Sequence, residues 1–180
     1  MSLLEQAISF AGKKHSGQTR KSFPVPYIVH PMEVMYAVAK LGITDEKVLI
    51  GAVLHDLYED TETSSHEVIE LFGEDVHKLV DELSLYGSQP EDKKNYLLSF
   101  SAKSIDALLI KMVDRTCNVK DYVAAGNWKY ALKYFNKALV LEDTFKRRYL
   151  ELGDKGDKLY YLWFDTKYLV EDKDQEYEGW

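Results

Sequence analysis

A chain of 180 residues, 46% hydrophobic and 29% charged, has room for one folded domain with its own core and too little for a second of similar size. No window approaches the roughly 18 apolar residues needed to cross a bilayer, and a net charge of -7 argues against the broad basic face that nucleic-acid binding requires. The single cysteine, Cys117, excludes an internal disulfide and a thiolate metal cluster, so a metal site here has to be built from histidine and carboxylate.

The N-terminal stretch mixes acidic and polar residues among apolar ones and lacks a basic region followed by a cleavage site. It reads as a helix from about Leu3 to His15 and not as a signal peptide, which makes the cytoplasm the expected location. A basic loop follows to His30. No acid occurs from Gln6 to Met32, while Lys13, Lys14, Arg20 and Lys21 all fall in that stretch, so a local pocket for a small anion is compatible with the negative net charge. Pro31 opens the next helix at a first-turn position, where its missing N–H costs nothing. Thr44 or Asp45 caps the helix after it, which is predicted to run to about Asp60.

Ser64 or Ser65 with Glu67 starts another helix that stops at Gly73, and predicted helices follow over Glu74 to Leu85, Glu91 to Phe100, Ser104 to Ala125 and Lys129 to Leu152. Gly42, Gly73, Gly87, Gly126 and Gly153 each follow a helical segment, as residues past helix C-termini do. The fold class is therefore all-α, a compact multi-helix bundle. The aromatic block Leu159 to Val170 is compatible with a C-terminal hairpin or a short helix, and the acidic run Glu171 to Trp180 is expected to fray.

The strongest chemical signal is His55-Asp56 followed by Glu59-Asp60, at the end of a helix whose earlier part, Val48 to Leu54, is almost wholly apolar. On a continuous helix the i to i+4 spacing puts His55 over Glu59 and Asp56 over Asp60. His30 stands at the start of the preceding helix. Asp114 lies just after the run Leu108 to Val113, where a carboxylate is costly to bury unless it is paired or bound to metal. An ion pair with Arg115 or Lys111 is the alternative for Asp114, and a solvated helix end is the alternative for the His55 group. Two imidazoles and two carboxylates from His30, His55, Asp56 and Asp114 make a nitrogen and oxygen site suited to Mn²⁺, Fe²⁺ or Zn²⁺. Glu59 and Asp60 then orient or deprotonate the attacking water.

Five segments, 15–21, 26–31, 54–61, 72–76 and 111–118, occur in the order found in the hydrolase domain of RelA/SpoT proteins, and the chain resembles that family over about residues 3 to 135. It is more similar to the stand-alone small alarmone hydrolases, a branch that includes the metazoan SpoT homologue, than to the long synthetase-bearing members. The resemblance implies an HD phosphohydrolase domain over 1–152, a C-terminal extension with an acidic tail over 153–180, and Mn²⁺-dependent removal of the 3′-pyrophosphate from ppGpp or pppGpp. It maps the metal ligands onto His30, His55, Asp56 and Asp114, and the water-activating pair onto Glu59 and Asp60. Substrate contacts fall on Arg20 and Lys21 beside the base, on Asn118 one turn after Asp114, and on Tyr134. The segment Ser22 to Val25 departs from the family, replacing a glycine-containing turn with a stiffer, greasier loop. The implied partner is a nucleotide, with no nucleic acid and no membrane, and an oligomer contact is one use open to the aromatic block. The alternatives are a phosphatase of another 2′- or 3′-phosphorylated nucleotide such as NADPH, and a non-catalytic nucleotide sensor.

Overall fold

A computed structural model describes residues 1–177. Its helices are α1 (Leu3–Lys14), α2 (Val29–Lys40), α3 (Glu46–Leu54), α4 (Leu57–Asp60), α5 (Ser65–Phe72), α6 (Glu74–Leu83), α7 (Pro90–Ser99), α8 (Ile105–Ala124), α9 (Trp128–Arg148) and α10 (Asp154–Tyr177), with a 3-10 turn over Tyr149–Leu152 between the last two. Among the described residues there is no strand, only one antiparallel bridge between Thr19 and Pro26 that pins the basic loop.

The helix starts follow their caps. Ser2 and Ser64 close capping boxes with Glu5 and Glu67, and the Asp45 carboxylate accepts the Lys47 amide at 2.9 Å. Helix α3 is apolar nearly all round because it is buried on both sides. Val48 and Ala52 join the larger core with α2 and α6 to α10, whereas Ile50, Val53 and Leu54 join a smaller one with α1, α5 and α6. A methyl group at Gly51 would collide with Leu79, so glycine there sets how closely α3 and α6 approach.

Two expectations need correction. The helix predicted to continue through Asp60 breaks at Asp56, whose φ of -102° and ψ of 0° interrupt the ladder before α4 restarts it. The hairpin over Leu159 to Val170 does not form. Leu159, Trp163, Thr166 and Val170 are all buried, at offsets of four, three and four residues, and that helical period lays α10 against α8 and α9. Trp163 stacks on Phe135 with ring centroids 5.5 Å apart, so α10 shares the main core. The acidic run continues α10 as far as Tyr177, and the last three residues of the tail expected to fray lie outside the described residues.

Candidate active site

The break in the chain at Asp56 builds the centre of the site. In a continuing helix the Ala52 carbonyl would accept the Asp56 amide; here it accepts the His55 Nδ1–H instead, at 2.8 Å. A carbonyl can only accept, so this bond fixes the proton on Nδ1 and leaves Nε2 bare. That buried Nε2 has no hydrogen-bond partner, and it stands 3.0 Å from Asp56 Oδ2 and 3.8 Å from Asp114 Oδ1. His30, in the first turn of α2, reaches the same point: its Nε2 lies 3.1 Å from Asp114 Oδ1 and 3.9 Å from Asp56 Oδ2. The offered ligand atoms of His30, His55 and Asp56 all lie within 4.8 Å of one another.

Bare imidazole nitrogen and two carboxylates, all buried, fit a divalent cation: a buried lone pair without a donor is the condition that coordination relieves. The electrostatics agree. Burial works against a proton on His55, but Asp56 and then Asp114 outweigh it and raise its pKa, so the cluster attracts positive charge. Burial also disfavours the charged form of Asp56 and Asp114; for Asp56 His55 overrides that, and for Asp114 Lys111 and Arg115 do, holding both carboxyls well below the usual range. Glu59 and Asp60 move the other way. Burial raises both, and Asp56 adds to the rise, while Glu59 also accepts the Leu85 amide at 2.9 Å. The two pairs of carboxyl groups thus have pKa values pushed apart by their surroundings.

Helix α8 supplies the opposite wall. Lys111, Asp114, Arg115 and Asn118 recur at three, four and seven residues along one face of a helix that is mostly buried. Lys111 lies 3.3 Å from Asp114 Oδ2, and Asn118 donates its amide to Asp114 Oδ1 at 2.5 Å. Asn118 thus orients Asp114, and its own oxygen accepts from Arg20 at 3.2 Å. Arg20 is bound to Asp121 at 2.5 Å, so the basic stretch that looked free of acids is compensated from α8, 101 residues away in sequence.

These groups line a single cavity of about 670 Å³, where Asp56, Glu59, Asp60 and Asp114 sit together with Arg20, Lys21, Asn118 and Tyr134. Three further lining residues are not among the candidate site residues. Tyr27 donates its hydroxyl to Asp56 Oδ2 at 2.5 Å, with its ring against His15. Lys93 comes from α7 and Lys137 from α9. Lys137 stands three residues after Tyr134, on the same face of α9.

An all-helical domain that gathers two histidines and two aspartates around one buried point is that of the HD phosphohydrolases; the model of the HD domain family matches residues 7–134, and the chain belongs to this family. Over 122 residues it is 40% identical to a guanosine-3′,5′-bis(diphosphate) 3′-pyrophosphohydrolase of Aquifex aeolicus, a match that covers 65% of this chain and 17% of that protein. It is 37% identical over 123 residues to the pyrophosphohydrolase MESH1 of Xenopus tropicalis, covering 66% of this chain and 69% of that one. Among solved structures it is similar to one described as a metazoan ortholog of SpoT that hydrolyses ppGpp, with a TM-score of 0.68 and 29% identity over 82% of this chain and 96% of that one. The chain spans about a sixth of the length of the long bacterial relatives and about two thirds of the stand-alone ones.

Proposed function

We propose that this protein is a metal-dependent (p)ppGpp 3′-pyrophosphohydrolase that yields GDP or GTP and pyrophosphate. The observation that carries the reading is the convergence of His30, His55, Asp56 and Asp114 beside Glu59 and Asp60 at one end of a cavity whose other lining is rich in cations. Relatives of the stand-alone kind carry that activity in their names.

In this reading His30, His55, Asp56 and Asp114 hold one divalent cation, Mn²⁺ by preference, with Fe²⁺ and Zn²⁺ as alternatives. When bound, the cation polarises a phosphoryl oxygen and acidifies water. Glu59 and Asp60 orient the attacking water and accept its proton; burial raises the pKa of both, which makes each a better proton acceptor than a solvated carboxylate. The new bond forms from the water oxygen to phosphorus, and the ester bond to the ribose 3′ oxygen breaks, with a proton delivered to that oxygen. Asn118 holds Asp114 in place, while Arg20 and Lys21 flank the base, Arg20 standing over the Tyr27 ring at 5.8 Å. Tyr134 forms part of the nucleotide wall. Residues 1–152 carry the reaction, and 153–180 are an extension whose helix α10 braces α8 and α9. Among the described residues no helix is long and apolar enough to cross a membrane, and we place the protein in the cytoplasm, acting on a small nucleotide.

The test is a nucleotide panel incubated with purified protein and Mn²⁺, with products separated by chromatography. GDP and pyrophosphate from ppGpp are expected. Phosphate from NADPH with ppGpp untouched would replace the substrate, and binding without turnover would make the protein a sensor.

A further inference from the structure

The cavity holds more positive charge than its carboxylates balance. Lys111 is answered by Asp114 and Arg20 by Asp121. Lys93 from α7 and Lys137 from α9 have no carboxylate within ion-pair range among the described residues, although both line the cavity. Arg115 from α8 is nearly buried, with 13% of its side chain exposed; its Nε has no hydrogen-bond partner and stands 3.8 Å from Asp114 Oδ2. Its guanidinium and the Lys137 ammonium both lie on the Tyr134 ring, at 5.5 Å and 5.2 Å from the centroid. Arg115 and Lys137 thus meet on one aromatic ring of the cavity wall, and Lys93 lines the same cavity.

We infer that Lys137, with Lys93 and Arg115, forms a second anion subsite that takes the phosphate groups of the nucleotide that are not cleaved, and that Lys137 is the residue that makes the enzyme prefer substrates phosphorylated at both ends. The inference rests on the proposed hydrolysis for its substrate class and adds the discrimination. Like charges held together are a cost that an anion removes, and a half-buried lysine beside an arginine returns more on binding than a solvated one. The strain is visible in the protein: burial, then Arg115, Lys133, Lys93 and Lys111, pull the Lys137 pKa down to about 8. The charged and titratable groups facing it are Arg115 and Lys111 from α8, Lys93 from α7, and Lys133 and Tyr134 from α9 itself.

Two substrates separate this subsite from the reaction. Guanosine 3′-diphosphate carries the group that is cleaved and lacks the 5′ phosphates, whereas ppGpp carries both. The wild type is expected to favour ppGpp in kcat/KM by about tenfold or more, and Lys137→Gln to remove most of that preference through KM for ppGpp. The preference should fall as pH rises through about 8, because Lys137 loses its charge there, and Lys137→Arg should hold it up to higher pH. Equal losses on both substrates in Lys137→Gln, or a preference that Lys137→Arg does not restore, would overturn the subsite. Titration calorimetry with inorganic pyrophosphate in metal-free buffer supplies a readout independent of turnover. Binding to the wild type that weakens about tenfold in Lys137→Gln supports the subsite, and equal binding to both proteins rejects it. If neither nucleotide is hydrolysed, the hydrolase reading fails, and this titration still decides the subsite by itself.

Discussion

The two ends of the cavity solve the problem of buried charge in opposite ways. At the carboxylate end each charged group has an answer in the protein: Asp114 touches His30, Lys111 and Asn118, while Asp56 touches Tyr27 and His55. At the other end Lys93 and Lys137 have no carboxylate partner among the described residues, and Arg115 reaches one only at 3.8 Å, on Asp114. A group that is answered in advance is fixed in position, as holding a cation or aiming a water requires. A group left unanswered has its counter-charge supplied by whatever binds. The first end is organised for chemistry and the second for recognition, so damage to the first should appear in kcat and in metal content, and damage to the second in KM.

The largest effect is expected at the proposed metal ligands. Asp114→Ala, His30→Ala or His55→Ala should each lose most of the bound cation and nearly all activity while circular dichroism still reports a helical fold. Metal analysis after dialysis, paired with turnover, checks this. Full activity of Asp114→Ala in metal-depleted buffer would break the comparison at its root.

Next come the carboxylates beside them. Glu59→Gln and Asp60→Asn should lower kcat by about 10² or more, with metal content and substrate affinity largely kept. The pH profile carries a sign. Burial raises the Glu59 pKa, and a base works only when ionised, so kcat should fall as pH drops through a value above that of an ordinary glutamate, and Glu59→Gln should flatten that limb. Metal lost in step with activity would instead make Glu59 a ligand.

A smaller effect sharpens the seam between the ends. Lys111 is fully buried, and its ammonium offsets the charge of Asp114. Lys111→Met removes the nearer of the two cations beside that carboxylate and leaves Arg115 at 3.8 Å, which should cost up to about 3–5 kcal/mol of stability without metal. Saturating Mn²⁺ should recover more stability in this variant than in the wild type, because the cation takes over the missing charge. Thermal unfolding with and without Mn²⁺ measures both, and an equal metal-induced shift would show that Lys111 and the cation do not share Asp114.

The contrast also explains what was legible in the sequence. His30, His55, Asp56 and Asp114 stand out because each is a polar residue in an apolar run, and a local pattern suffices to mark such an exception. The bundle is legible for the same reason, since caps and a period of 3.6 are local. The break after His55 is not, because it rests on one residue in the bridge region within a segment of good helix formers. Nor is the partner of Arg20, since Asp121 is reached only through the packing of the basic loop on α8. Lys93 and Lys137 look like two of many surface lysines until α7 and α9 bring them to one cavity, and Leu159 to Val170 looks equally good as strand or helix until α8 and α9 offer it a groove.

The smallest predicted effect asks whether burial or charge alone sets the strength of the recognition end. Lys21 and Lys137 carry the same charge and line the same cavity, but Lys21 is exposed and Lys137 is half-buried. A solvated ammonium contributes about 0.2–1 kcal/mol to an ionic contact, so Lys21→Ala should raise KM by only about twofold to fivefold. Screening reaches it fully, and the effect should shrink toward nothing as ionic strength rises and the Debye length falls to a few ångströms. The Lys137→Gln effect should persist in the same salt series, because buried charges are screened much less. KM measured for both variants across a range of salt concentrations decides the matter. If the two lysines respond alike, position in the cavity counts for little and net positive potential alone draws the nucleotide in; if they part, the unanswered buried charge is what the substrate is selected to meet.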